Sequence, residues 1–543
     1  MTTEDKSDDG IHKQASISEF FEKNRHLLGY DSKIKAMLII VKEGVDNALD
    51  ATEEEGILPD IYIKIEELEK DKYKIVIRDN GPGIERKQIP KIFGTLLYGS
   101  KFHRLRQSRG QQGLGISMAV LYSQLTTGEA TEILASRGKG ITRKFKLKID
   151  VKKNEPVILS EETIEGKDWR GTQVTLICEG IYREHKQSVL EYLKQTAISN
   201  PYANITFDGP TGKMEFKRGV EKLPKKPKEI KPHLHGVELG IMVRMLHETS
   251  ARSIIGFLTS EFSRVGKTTA DDIAKRAEID PRTSPKKITD VEVVKIIKAI
   301  KEIKLTRPPT DCLSPLGSVS IENGLRKELD PEFVATITRP PAVYRGWPFQ
   351  IEVGIAYGGS ISEARLMRFA NRVPLLYQQG DCAVTKSAAG IDWKRYGIES
   401  DKLPTGPVII FVHMMSVWVP FTSESKEAVA SYPIIIKEVK LALQECARKL
   451  SIYLSGVRKA QAVAERKSIF ERYAHETAVA LNELTGVNAD DVEKKIKQIV
   501  DDKWEDIEVY QNNNDNTKSE ENPLEKVPPK KEKLKELKDD EEE

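Results

Sequence analysis

The spacing of three polar residues behind an apolar segment constrains this chain most. Ala36-Met37-Leu38-Ile39-Ile40-Val41 leads into Glu43-Gly44-Val45-Asp46-Asn47-Ala48-Leu49-Asp50-Ala51, and Leu38, Val41, Val45 and Leu49 recur at helical spacing, which predicts one helix with a buried face. Glu43, Asn47 and Asp50 then share one stripe of that helix. A solvated face is the ordinary reading of such a stripe. The functional reading is more specific: a carboxylate can orient an attacking water, and a neutral amide oxygen one turn along can ligate Mg²⁺ without adding negative charge beside a phosphate.

Two later segments bear on that choice. Lys74-Ile75-Val76-Ile77-Arg78 alternates as a strand and runs into Asp79-Asn80-Gly81-Pro82-Gly83, where glycines let the backbone approach a ligand closely. Asp79 at the strand end can accept a hydrogen bond from an exocyclic amine, although Asn-Gly-Pro-Gly is also strong turn chemistry. Gly110-Gln111-Gln112-Gly113-Leu114-Gly115-Ile116-Ser117 leads into a helical Met118-Ala119-Val120-Leu121, so its N–H groups stand where the helix dipole favours an anion. The segment from Gly94 to Gly110 reads as a flexible connection.

In this order the three segments resemble the nucleotide-binding motifs of the GHKL ATPases, the superfamily of gyrase, mismatch-repair clamps, a heat-shock chaperone and sensor histidine kinases. Leu96-Leu97-Tyr98-Gly99-Ser100-Lys101-Phe102 and Ser108-Arg109-Gly110 to Gly115 are worded like the B subunits of archaeal type IIB topoisomerases, and that resemblance extends from about Ile17 to about Leu481. It implies ATP and Mg²⁺ as cofactors. Glu43 would orient the hydrolytic water, Asn47 would hold the metal, Asp79 would take the adenine amine, and Gly110, Gln111, Gln112, Gly113, Leu114, Gly115, Ile116 and Ser117 would cradle the phosphates. Ser100, Lys101 and Thr172 are further nucleotide contacts on the same ground, a plain strand start being the other account of Gly171-Thr172. Lys426, in the loop Pro420-Phe421-Thr422-Ser423-Glu424-Ser425-Lys426, matches a lysine that reaches the γ-phosphate from another domain. The implied partners are an A subunit that carries the catalytic tyrosine (an A2B2 heterotetramer), a second copy of this chain on ATP binding, and double-stranded DNA. An ATP-gated protein clamp of mismatch-repair or chaperone type is the alternative.

The fold this implies is α+β and multidomain: a GHKL (Bergerat) α/β sandwich, a helix-two-turn-helix insertion, and a transducer with a right-handed βαβ crossover and a long C-terminal helix. The expected division is a disordered 1–16, an ATPase domain with an N-terminal strap at 17–225, the helical insertion at 226–308, the transducer at 309–482, a helical segment at 483–510 and a disordered charged tail at 511–543. Four helical patterns carry the insertion: Glu238 to His247, Ala251 to Glu261, Thr268 to Ala277 and Asp290 to Ile303. Before them, Leu223-Pro224-Lys225-Lys226-Pro227-Lys228 reads as an extended linker. Val265-Gly266-Lys267-Thr268-Thr269 is not a Walker A loop, because that motif needs a glycine where Glu261 stands. Gly266 and Lys267 either contact a nucleic-acid phosphate or simply join two helices. Farther on, strands are expected at Phe333 to Arg339, Phe349 to Tyr357, Ala364 to Ala370 and Val408 to Met414, with Asn371 to Leu375 as an interior strand. A long helix then starts near Pro433.

Length and charge fit this division. The 543 residues suffice for three or four domains. A charged fraction of 31% nets only +3, so any nucleic-acid contact must come from local clusters. Cys178, Cys312, Cys382 and Cys446 are far apart, which argues against a zinc site or a disulfide framework. With no signal segment and no apolar run long enough to span a bilayer, a cytoplasmic, nucleoid-associated protein without membrane contact is expected.

Overall fold

The computed structural model describes residue 21 and residues 23–99, 104–110, 113–166, 169–423 and 425–499. Residues 17–20 and 22 of the expected strap, the tail, and the candidate contacts Ser100, Lys101, Gln111 and Gln112 lie outside the described residues.

Helix α1 (Lys33–Glu54) begins before its apolar spacing does, because Ser32 caps it by accepting a hydrogen bond from Lys35 N at 3.3 Å. Met37, Ile40, Val41, Val45 and Leu49 are buried on one face. Removing one of these large side chains costs about 2–5 kcal/mol. At Gly44 a Cβ would strike the terminal methyl of Ile77 in the strand Lys72–Arg78, so glycine lets the helix lie this close to the sheet without moving that side chain. The close approach sets the Glu43–Asn47 turn against the strand that delivers Asp79.

That sheet comprises β1 (Asp60–Glu69), β2 (Lys72–Arg78), β3 (Thr131–Arg137), β4 (Ile141–Asp150), β5 (Glu155–Glu165), β6 (Arg170–Glu179), β7 (Asn204–Gly209) and β8 (Gly212–Phe216), in the order β5-β4-β3-β6-β2-β1-β7-β8. β1 and β7 run parallel, and the other neighbours antiparallel. Ile61, Ile63 and Ile65 of β1 and Tyr73, Ile75 and Ile77 of β2 alternate inward. They share one core with α1, α2 (Ile89–Gly94), α3 (Gly115–Thr127) and α4 (Val189–Ser199).

A helical region follows, with α5 (Leu239–Glu248), α6 (Ile254–Glu261), α7 (Lys267–Arg276) and α8 (Asp290–Glu302) around a core that includes Met242, Phe257, Ile273 and Ile296. Thr289 and Glu292 form a capping box at the start of α8. Gly266 is the N-cap of α7. The lysine-rich linker is extended but pinned: Lys226 Nζ donates to Glu54 O at 2.6 Å, and Ile230 N donates to Leu105 O at 3.1 Å.

After α9 (Ser318–Leu329), a second sheet gathers β9 (Phe333–Thr338), β10 (Ala342–Tyr344), β11 (Trp347–Tyr357), β12 (Arg365–Ala370), β13 (Val373–Pro374) and β14 (Val408–Ser416). β12 and β14 pair in parallel, and α10 (Ala383–Ala389) lies between them in the chain. Every residue of β14 is buried. The expected interior strand at Asn371 to Leu375 needs correction. Asn371 and Arg372 both have positive φ, 47° and 69°, and form the two-residue turn between β12 and β13. Ile198 and Tyr202 pack into one cluster with Leu325, Phe369 and Phe411, so the two sheets share apolar surface through α4 and α9.

Met1–Tyr453 and Leu454–Glu543 are separate compact units. The long helix α11 (Pro433–Thr485) contributes to the first as far as Tyr453. In the second unit a helix at 489–499 is tied back by His475 Nδ1 and Glu493 Oε2, 2.8 Å apart. Among the described residues, no helix is long and apolar enough to cross a membrane.

Candidate active site

A cavity of about 380 Å³ opens where α1, the end of β2, the start of α3 and the loop before α11 converge. Glu43, Asn47, Asp79, Gly110, Gly113, Leu114, Gly115, Ile116, Thr172 and Lys426 all line it. The one remaining described candidate, Ser117, stands apart: its side chain is buried, and its hydroxyl donates to Leu114 O at 3.0 Å within the first turn of α3.

Asp79 closes one end. Its Oδ1 accepts from Gly81 N at 2.8 Å and from Thr172 N at 3.1 Å. Burial pushes its carboxyl up to about 6, against the pull of these two backbone N–H groups. Gly171 holds φ +139°, and a Cβ there would collide with the Asp79 carbonyl, which explains the glycine before Thr172. Asn80 is structural: its amide donates to Leu58 O, and its Oδ1 accepts from Asp60 N, both at 2.9 Å.

At the other end, α3 starts at Gly115 directly beside Glu43, whose carboxylate occupies the space a Cβ would need. The catalytic candidate therefore touches the helix N-terminus that would receive phosphate. Asn47 also reaches the loop, since a Cβ on Gly110 would lie 3.6 Å from Asn47 Oδ1, ordinary contact distance. Asp50, third on the stripe, is engaged elsewhere. It takes Arg109 Nη1 at 3.0 Å and faces Gly110 N at 3.4 Å, fixing the base of the glycine loop.

Lys426 arrives from the second-sheet domain. Its Nζ donates to Arg109 O at 3.4 Å, although the two residues are 317 apart in the chain. Spacing alone does not reveal Lys42, a second cation lining the cavity. Asp46 beneath it accepts from Tyr192 Oη at 3.1 Å, and burial pushes its carboxyl up to about 7 despite the nearby Lys42. The cavity thus has an acceptor at one end, and backbone N–H groups, a carboxylate and cations at the other.

Two family models match the chain: the histidine kinase-, DNA gyrase B- and HSP90-like ATPase over residues 33–155, and the topoisomerase VI B subunit transducer over residues 308–466. The chain is 50% identical over 452 residues to the type 2 DNA topoisomerase 6 B subunit of Archaeoglobus fulgidus, covering 82% of this chain and 75% of that one. It is 46% identical to the protein of the same name from Methanosarcina acetivorans, over 90% and 80% of the two chains. For the Thermococcus onnurineus protein the identity is 40%, over 92% and 96%.

Proposed function

This chain belongs to the family of type 2 DNA topoisomerase 6 B subunits, and from that premise we propose how its cavity handles ATP. It is the ATP-hydrolysing subunit of a type II DNA topoisomerase and acts with an A subunit. Our reading assigns adenine to Asp79 and Thr172, the phosphates to the Gly110–Gly115 loop and the first turn of α3, and the γ-phosphate to Lys426. The residues fit such a ligand: a buried carboxylate offers the acceptor an exocyclic amine needs, and glycines stand where a side chain would obstruct the phosphates.

Glu43 orients the attacking water and accepts its proton, next to the N–H groups that stabilise the developing charge. Asn47 is the proposed Mg²⁺ ligand. One neutral oxygen suits an ion that retains waters and is otherwise held by phosphate, and among the described residues no cluster of three or more His, Cys, Asp or Glu could form an all-protein site. When bound, Mg²⁺ neutralises charge on the phosphate oxygens. We further propose that ATP binding closes two copies into a gate around a DNA segment, within an A2B2 assembly in which the cutting tyrosine belongs to the A subunit. In the domain division of this reading, 17–225 binds nucleotide, 226–308 is the insertion and 309–482 transmits the change.

The observation that carries the proposal is the convergence of Glu43, Asn47, Asp79 and the glycine loop on one cavity that Lys426 also lines. Glu43→Ala tests it. The variant should bind ADP as the wild type does and hydrolyse ATP about a hundredfold more slowly or worse; turnover at the wild-type rate would overturn the assignment.

A further inference from the structure

Directly after Lys426 comes Glu427, a buried carboxylate that lies outside the cavity lining. Its Oε1 stands 2.6 Å from Lys35 Nζ, in the first turn of α1, with side chains 10% and 7% exposed. The same ammonium meets Asp31 Oδ1 at 3.3 Å and lies 5.1 Å above the ring of Tyr377. One cation on the helix of Glu43 is therefore gripped from the second-sheet domain by Glu427 and Tyr377. A surface pair contributes little, but this one is nearly dry, and removing one partner there strands the other charge.

The loop needs such an anchor. Lys426 holds φ 54°, a left-handed conformation that a lysine keeps only when its surroundings impose it. Among the described residues Glu427 Oε2 is buried without a hydrogen-bond partner, so the carboxylate depends on its other oxygen and on Lys35. Without that cation, Glu427 would be driven toward water and would carry its neighbour Lys426 out of position. We infer that Lys35 is a positioning residue for ATP hydrolysis: by anchoring Glu427 it holds the Lys426 loop at the phosphate end of the cavity, an inference that rests on the ATP reading above.

The test uses the full chain. Lys35→Met and Glu427→Gln should each lower kcat by about tenfold or more while changing ADP affinity by less than about threefold, because the contact concerns the γ-phosphate side alone. Lys35→Arg, which keeps the charge, should retain most of the rate. The double variant should be no slower than the slower single one, since both changes break one contact. Full-rate turnover by both single variants, or losses that multiply in the double, would discard the inference. If Lys35→Met does not fold, the near-isosteric Glu427→Gln decides with the same two readouts. Glu43→Ala run in parallel separates the levels: wild-type turnover there removes the ATP reading itself, whereas a slow Glu43→Ala beside full-rate Lys35 and Glu427 variants removes only the anchor.

Discussion

Arg372 Nη1 stands 2.8 Å from Glu53 Oε2, while Arg109 Nη2 donates to Glu53 Oε1 at 2.6 Å. A single carboxylate on α1 thus joins the β12–β13 turn to the residue just before Gly110. Asn371 Nδ2 adds a bond to Ser108 O at 3.0 Å, and Tyr202 Oη touches both Glu53 and Arg372. Burial pushes the Glu53 carboxyl up, but the Arg109 and Arg372 guanidiniums outweigh it and hold it below the usual carboxylate range. A depressed carboxylate gives stability that is present above its unfolded pKa, about 4.3, and is lost as pH falls through the folded value. Arg372→Met should lower the free energy of unfolding by about 3–5 kcal/mol at neutral pH, measured in denaturant. The advantage of the wild type over Glu53→Gln should shrink on acidification below about pH 4.

Asp79 has the opposite shift and so predicts a different pH dependence. Its folded carboxyl titrates near 6, and only the ionised form is an acceptor on both oxygens for an exocyclic amine. ADP affinity should weaken as pH falls from 7.5 to 5, approaching about tenfold per pH unit below the midpoint. In Asp79→Asn, titration calorimetry should find weak binding with that component of the pH dependence gone. An identical slope in both proteins would assign it to the phosphates instead.

The sequence already carried the cavity's three local motifs, because each is a short run whose chemistry is written in adjacent residues. The apolar period around Leu38, Val41, Val45 and Leu49 marked α1, and the turn residues after Arg78 marked the end of β2. What spacing could not supply was pairing at long range. Asp50 looked like part of the reactive stripe, yet it serves Arg109, and nothing near position 50 announces a partner 59 residues away. Asn371 and Arg372 were expected in an interior strand because the run to Leu375 resembles one in the family's transducer. Their positive φ follows from a two-residue hairpin that tertiary contacts to Ser108, Glu53 and Ser314 hold in place. The edge strand β5 has no alternating apolar signature, because Val157, Ile158 and Leu159 are consecutive and exposed and most of the strand is polar.

Gly115 offers a direct check on the closeness of helix and carboxylate. A methyl group there would occupy the place of Glu43 Oε2, so Gly115→Ala must displace the carboxylate or the start of α3. Helix propensity alone would favour alanine by about 1 kcal/mol. The expected outcome is a folded protein, of wild-type or higher thermal stability, whose kcat falls about tenfold or more. A stable variant with unchanged turnover would show that Glu43 need not sit where it does.

Lys426 gives the most informative substitution, because among the described charged residues of the cavity it alone comes from the second-sheet domain. ATP has a γ-phosphate and ADP does not, so a cation that meets it binds the two nucleotides differently, which any ligand must do to shift a conformational equilibrium. A lysine is suited to this, with a long stem that delivers a compact charge to a phosphate oxygen. Lys426→Ala should therefore abolish most ATP turnover and strand passage while leaving ADP affinity within about threefold of the wild type. Lys437→Ala is the control, an exposed lysine on α11 outside the cavity. The Nζ contact to Arg109 O also predicts a structural signature: in ATP-analogue complexes the 104–110 segment should gain amide-exchange protection in the wild type and not in Lys426→Ala. Equal, near-wild-type turnover in the two lysine variants would remove Lys426 from the mechanism and leave hydrolysis to the α1 and α3 residues alone.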